Sequence, residues 1–488
     1  MNIALILILL TLFLSIFLGI QARRGKDMSL EQWSIGGRTF GTLVVFLLMA
    51  GELYTTFTFL GSSGWAYGKG GPTFYVISYA ALSYIMSYWL LPAIWRYAKK
   101  HNCMSQADFF VSKYKSPKLG VVVSLVAVLA IIPYFILQLK GLGIIVSLAS
   151  YGSLSPTTAV WIGAISVTSY VMISGIHGSA WTAIVKDILI LAVVVFLGIY
   201  LPFLYYGGIQ PMFEAIDAAK PGFLILPEKG LSESWFISTV LLTSLGFYMW
   251  PHAFGSIFSA KEERVFRKNA IVMPLYQLIL LFAIFVGFAA ILQVPGLKGA
   301  EVDKSLLQLS IQTFDPWFVG IIGSAGLLAA LVPASMILIT ASTLLAKNVY
   351  HVVFPETSEK GVASAAKFIV PVVSLISVYF TLAGGDTIVT LLLMGYSLVT
   401  QLFPALLLSL KENNFVTKQG VFAGIISGVT VVAFVTVNKI TLGTMFPSLP
   451  QAIQDLNMGI IALFMNFAIM LAISMVTKKS AISTTSNL

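Results

Sequence analysis

Apolar residues run along this chain in blocks of about twenty, separated by short polar stretches. Blocks of that length suit helices crossing a hydrocarbon core of about 30 Å, whereas barrel strands would alternate over about ten residues. Hydropathy places thirteen spans near 2–21, 40–66, 73–95, 119–149, 157–176, 182–206, 235–255, 270–294, 316–345, 367–384, 387–410, 420–438 and 456–476. The longest polar segments, 96–118, 207–234, 346–366 and 439–455, are modest. The pattern predicts a single all-α membrane domain over 1–488. Segment 207–234, with Pro211, Pro221 and Pro227, reads as a surface loop carrying a short helix. The final KKSAISTTSNL reads as a disordered tail.

Two spans are interrupted. Span two carries Gly51 and Gly61; span seven carries Gly246, Pro251 and Gly255. Each opens a group of five spans, 40–207 and 235–410, and 411–488 holds two trailing helices and the tail. Five is odd, so the second group is inverted relative to the first. Interrupted helices at corresponding positions of inverted halves point to a secondary transporter with a site near the midplane. Gly and Pro are also simply commoner in membrane helices, which leaves the pointer open.

Composition sharpens the class. Of 488 residues 58% are hydrophobic and 10% charged, against roughly 25% charged in soluble domains; mean hydropathy is +0.92. The net charge of +10 invites a nucleic-acid partner, but the basic residues are distributed otherwise. With the N-terminus outside, 22 of the 29 lysines and arginines, Lys186 among them, fall in inward loops, six in outward loops, and Lys140 inside a span. That is the positive-inside rule, setting a multi-pass cell-membrane protein with N outside and C cytoplasmic. No Lys or Arg precedes the first span while Arg23 and Arg24 follow it, the pattern of a retained helix rather than a signal peptide. The single cysteine, Cys103, excludes a disulfide framework, and the four histidines show no metal-ligand spacing. No nucleotide-binding or hydrolase motif appears, so neither an enzyme nor an ATP-driven pump is expected, and no cofactor is implied beyond a coupling sodium ion or proton.

The stretch MAGELYTTFTFLGSSGWAYGKGG (49–71) carries the candidate chemistry. A mid-bilayer carboxylate costs about 2.5–3.5 kcal/mol, so Glu52 must face a cavity, find a partner or be protonated. Tyr54, Thr55 and Thr56 follow it, with a backbone that can unwind; such backbone exposes carbonyls where it lines a protein cavity. The stretch reads as part of a binding site, the bland alternative being a structural pairing with a neighbouring helix. Lys140, just after Gln138 in span four, either snorkels outward or pairs with Glu52 or with an anionic substrate. Asp386 is expected in a loop, and Glu301 and Asp303 in a solvated outward loop. His252, beside Pro251 in the second interrupted span, is a packing histidine or a proton relay.

FLSIFLGIQARR, then EQWSIGGRTFG with Gly36, Gly37 and Arg38, then the interrupted span, resembles the opening of the sodium:solute symporters. SGIHGSAWTAIVKD (174–187) resembles that family's turn between core helices 4 and 5, matching at Gly175 and Thr182 but with Ala183 and Lys186 in place of Asp and Gln. GLLAALVPASMILITASTLLAKNVY (326–350) resembles its core helix 8. The resemblance covers nearly the whole chain in order. It implies a LeuT-like five-plus-five inverted repeat with one leading and two trailing helices, in agreement with the thirteen spans. It also implies a cation site from the carbonyls of Gly51, Tyr54 and Ala330 with hydroxyls on core helix 8. Those hydroxyl positions fall here on Pro333 and Ala334, which have no side-chain oxygen; Ser335 is adjacent. With "LYT" and "LVPA", the chain resembles the family's bacterial monocarboxylate permease branch, which raises Glu52 as a proton carrier. The expected function is a symporter importing a small organic solute, a short monocarboxylate first, on a proton or sodium gradient. The alternatives are a sodium symporter for an amino acid or other solute, and a transporter-like sensor. The implied partners are the solute and the lipid bilayer, with no nucleic acid.

Overall fold

The computed structural model describes residues 2–26, 29–411 and 414–485, with side chains through residue 478. Among these the only β contact is an isolated parallel bridge, Phe40 to Ala260; the rest is helix and loop. Ten of the described helices are long and apolar enough to cross a membrane, or eleven if the bent pair Thr42–Leu53 and Phe57–Lys69 is one span. The difference from thirteen lies in two places. Helix Pro156–Tyr206 has 51 residues, about 77 Å at 1.5 Å per residue, more than twice a hydrocarbon core. It turns at Gly175, whose φ of 54° and ψ of −154° interrupt the helix. Glu233–Gly246 and Pro251–Ser259 are each too short to cross alone and together make one broken span.

The spans are therefore α1 (Ile3–Arg23), α2a and α2b (Thr42–Leu53 and Phe57–Lys69), α3 (Gly71–Lys100), α4 (Pro117–Ala149), α5 and α6 (156–174 and 176–206), and α7a and α7b (Glu233–Gly246 and Pro251–Ser259). They continue with α8 (Arg264–Gln293), α9 (Pro316–Val353), α10 (Glu359–Ala383), α11 (Ile388–Ser409), α12 (Lys418–Val437) and α13 (Met458–Lys478). The chain is an all-α, multi-pass membrane protein in which α2–α6 and α7–α11 form the five-plus-five core. The last helix continues to Thr485 where a tail was expected; residues 486–488 lie outside the described ones. The 207–234 segment does carry a short helix, Ile209–Ala219.

Local sequence explains the starts. Ser116 and Ser155 cap α4 and α5, each accepting from the N–H three residues on, and Pro117, Pro156 and Pro316 occupy first-turn positions where no N–H is needed. Helix α9 is the spine: 94% of its most apolar window is buried, and it packs on α1, α4 and α5/α6. Helices α12 and α13 close on each other through Gly420, Gly424 and Gly428, one face at i, i+4, i+8, where an added Cβ would strike Ser474, Asn466, Met470 or Gln401. Gly175 has a tertiary reason too: a Cβ there would lie 2.7 Å from the Trp33 carbonyl, while Trp33 Nε1 donates to the Val171 carbonyl at 3.2 Å. The segment before α2 is thereby fixed in the α5/α6 corner.

Candidate functional site

Helix α2 bends by 46° between its halves. A broken helix frees carbonyls, and the last turn of α2a accounts for most of them. The Ala50 carbonyl accepts from Tyr54 N–H at 2.9 Å, that of Glu52 from the Tyr134 hydroxyl at 3.0 Å, and that of Leu53 from Thr55 N–H at 3.0 Å and from the Thr58 hydroxyl. Because Thr55 turns to Leu53, the Gly51 carbonyl lacks the donor that a continuous helix would give it. The expected hydroxyls mostly brace the break. Thr55 Oγ1 accepts from Phe57 N–H at 3.1 Å. Thr56 Oγ1 lies 2.9 Å from Gln138 Oε1 and 3.1 Å from the Leu137 carbonyl, and its N–H donates to the same Oε1 at 3.3 Å. The Tyr54 hydroxyl donates to the Tyr276 carbonyl. So Thr55, Thr56, Tyr54 and Gln138 are brought together at the break, as partners of one another and of backbone.

Glu52 is at the site's centre, buried at 9% exposure. Its Oε1 accepts from Ser256 of α7b at 2.7 Å, joining the two broken helices. Around it Leu53 and Phe57 of α2, Tyr79 of α3, Tyr134 of α4, Phe247, Trp250 and His252 at the α7 break, and Leu392 and Tyr396 of α11 form a cage. The space left, about 10 Å³ at the centre of a water-sized sphere, holds roughly one water. His252 is buried, with Nδ1 unpartnered, and its ring lies 5.3 Å from that of Tyr134. Sequence reading singled out Glu52 and His252 and missed the phenols and Ser256. The signal available was the aromatic residues flanking both breaks, FYMWPH (247–252) above all.

Of the two expected readings of Lys140, the outward one fits and the pairing with Glu52 is not found. Its Nζ donates to Asp303 Oδ2 at 2.8 Å and to the Asp386 carbonyl, not to Glu52. Asp303, expected in solvent, is completely buried, and its Oδ2 also accepts from Ile388 N–H at the start of α11 at 3.0 Å. Gly64 of α2b admits this turn, since a Cβ there would lie 2.9 Å from both Asp303 Cα and the Val302 carbonyl. The pair ties α4, the turn before α9 and the α10–α11 loop into a cover at one end of the bundle. Asp386 and Glu301 are loop residues as expected, and Glu301 pairs with Lys304.

The second correction concerns Lys186, counted above as a loop charge. It is completely buried in α6, with Nζ 2.8 Å from Asp187 Oδ1. A Cβ at Gly51 would lie 3.1 Å from that Nζ and 3.8 Å from a Val332 methyl, so the ammonium stands where α2a, α6 and α9 cross. Ala330, Pro333, Ala334 and Ser335 are buried on α9. The Ser335 hydroxyl donates to the Val332 carbonyl at 2.6 Å and lies 2.7 Å from Ser179 Oγ. Sodium wants oxygen ligands; Pro333 and Ala334 supply none from their side chains, and an ammonium already stands beside Gly51. Among the described residues no group of three or more His, Cys, Asp and Glu gathers in metal-binding fashion.

Comparison with known proteins places this geometry. Residues 33–428 match the sodium:solute symporter family. A protein of Bacillus subtilis (strain 168) named "Uncharacterized symporter YhjB" is 68% identical over 480 residues, 98% of each chain. The "Monocarboxylate transport permease protein" of Rhizobium johnstonii is 30% identical over 404 residues, covering 81% of this chain and 80% of its own. Among solved structures, a Na+-coupled sialic acid symporter in a substrate-bound outward-open state superposes with a TM-score of 0.78 over 98% of both chains at 15% identity, a likeness of fold.

Proposed function

The chain belongs to the sodium:solute symporter family of secondary transporters, and from that premise we propose that it imports a short monocarboxylate, with Glu52 carrying the coupling proton. The observation that carries this reading is the cage at Glu52, lined by side chains of both core halves; with room here for about one water, it widens to admit a small carboxylate. Phenols of Tyr79 and Tyr396 and the His252 imidazole are the donors a small carboxylate needs, Tyr134 being engaged with the Glu52 carbonyl, and Leu53, Phe57 and Leu392 suit a short alkyl tail. A carboxylate beside an ionised Glu52 would be repelled; beside a protonated Glu52 it gains a donor. Anion and proton therefore enter together. The monocarboxylate named for the Rhizobium relative supports the substrate class. In this reading Tyr54, Thr55, Thr56 and Gln138 shape the break, while Lys140 and Asp303 form the outer cover. The carbonyls of Gly51, Tyr54 and Ala330, with Pro333, Ala334 and Ser335, frame the cation region. The N-terminus is outside and the C-terminus cytoplasmic, so the cage opens alternately past the Lys140 end and the Lys347 end.

The test is uptake into proteoliposomes of labelled acetate, propionate, pyruvate, lactate and proline, with a sodium gradient and, separately, a pH gradient. We expect accumulation of a monocarboxylate on an inward proton gradient. Glu52→Gln should abolish that accumulation while preserving exchange of substrate, which needs no proton release. Full proton-driven accumulation by Glu52→Gln sinks the carrier role, and uptake of proline alone sinks the substrate class. Orientation is read by impermeant thiol reagent on cysteines introduced at 113 and 229: only position 229 should label in intact cells.

A further inference from the structure

One buried charge has no part in the reading above. Lys186 lies at the crossing of α2a, α6 and α9, fully buried, 2.8 Å from Asp187 Oδ1. Beyond that mutual contact, Nζ and the Asp187 oxygens have no further hydrogen-bond partner among the described residues. Burying an ammonium is costly unless anions or carbonyls surround it. Among the described residues only Asp187 partners this one, and Gly51 stands beside it. The Gly51 carbonyl, of the four in the last turn of α2a, is the one without a donor. Gly51 also has no side chain, and a Cβ there would come to 3.1 Å from Nζ. Asp187 supplies the carboxylate, and Glu52 follows Gly51 on α2a. Val332 of α9, in an apolar cluster with Leu47 and Ala183, lies on the other side of Gly51. A free carbonyl at a helix break, a carboxylate and an apolar flank are the makings of a monovalent-cation site.

We propose that the Lys186 ammonium is the resident cation of this site, tethered to α6, and that the protein therefore takes up no sodium there. The inference rests on the symport reading and narrows it: of the two candidate gradients, sodium is excluded by occupancy. A tethered charge cannot be released to the other side, so it contributes position rather than transport. It holds the end of α2a against α6 and leaves Glu52 as the group that can exchange a proton.

The test needs no substrate. The thermal midpoint of the purified full-length protein is followed by tryptophan fluorescence in sodium chloride and in choline chloride at equal ionic strength. A ligand that binds only the folded state raises the midpoint saturably. For the wild type we expect the same midpoint in both salts, within about 1 °C. Lys186→Met leaves Asp187 and the Gly51 carbonyl facing vacated space, so it should acquire a saturable sodium-dependent rise of several degrees. Adding Asp187→Asn should remove that rise. A saturable sodium-dependent rise in the wild type overturns the proposal; so does a folded Lys186→Met protein with none. Should Lys186→Met not fold, the wild-type comparison decides alone. Because no solute is present, a failed uptake panel leaves this result standing, and a sodium response here leaves the carboxylate reading intact.

Discussion

The molecule holds two buried lysine–aspartate pairs of the same length, 2.8 Å, and they differ in everything else. Lys140 and Asp303 come from segments 163 residues apart, and the pair has further partners: the Asp386 carbonyl for the ammonium and Ile388 N–H for Asp303 Oδ2. Lys186 and Asp187 are chain neighbours that meet at 2.8 Å, with no further partner for either group among the described residues. The first pair binds three segments together and behaves as a latch. The second binds no new segment by itself; its ammonium projects to α2a beside Gly51. In the first pair Lys140 and Asp303 Oδ2 each have a partner beyond one another, Asp303 Oδ1 having none among the described residues; in the second neither group has one, which makes it the stronger candidate for function.

That contrast can be broken by substitution. Lys186→Met strips the cation from a buried carboxylate, Asp187, and should cost about 3–5 kcal/mol in the absence of sodium. Lys140→Met leaves buried Asp303 with only the Ile388 N–H and no cation, and should destabilise the protein by about 3 kcal/mol. Lys140→Met with Asp303→Leu should recover most of that loss in thermal unfolding of the purified protein. If the single change costs nothing, the latch is ornamental. Gly64→Ala attacks the latch from below: its Cβ would press on backbone of Val302 and Asp303 that cannot swing aside, for a cost of about 1–3 kcal/mol. What separates the two sites is that sodium should recover part of the loss at Lys186 and none at Lys140.

A third ion pair sharpens it. Asp108 accepts from Lys347 Nζ at 2.6 Å, Asn348 Nδ2 at 2.8 Å and the N–H groups of Met104 and Ser105, so it resembles the latch and ties the Gln106–Tyr114 helix to α9. Cys103 lies beside it. Burial first, then the Asp108 charge, pushes its thiol up to about 12. The folded value lies above the ordinary one of about 8.5, so the thiolate is absent until the pH passes the folded value. Maleimide labelling should thus stay slow at about pH 9, where an ordinary cysteine is largely thiolate, and become fast on denaturation. Asp108→Asn, which loosens the clamp, should speed labelling in the native protein. Fast native labelling of the wild type would mean that this end is open.

The sequence by itself determined the spans, the two breaks and Glu52 as the exceptional residue. These are local properties: a block of apolar residues of membrane length, glycine and proline where a helix must yield, and a carboxylate too costly to face lipid. Tertiary structure decided the partners. Lys140 was visible as a charge in a span, but whether it met Glu52 or Asp303 depended on the rotation of α4 about its axis and on the fold of a loop 163 residues away. Lys186 fell inside the expected 182–206 span, near its inward end, and was counted with the loop charges; the turn at Gly175 places it inside α6. Of the cage aromatics, Phe57, Phe247 and Trp250 flank the breaks, whereas Tyr79, Tyr134 and Tyr396 were indistinguishable from the chain's other tyrosines until α2, α3, α4, α7 and α11 converged on them. Hydropathy registers what a residue costs in lipid, and that is a property of one residue. Which charge neutralises which is a property of pairs, and only packing brings pairs together.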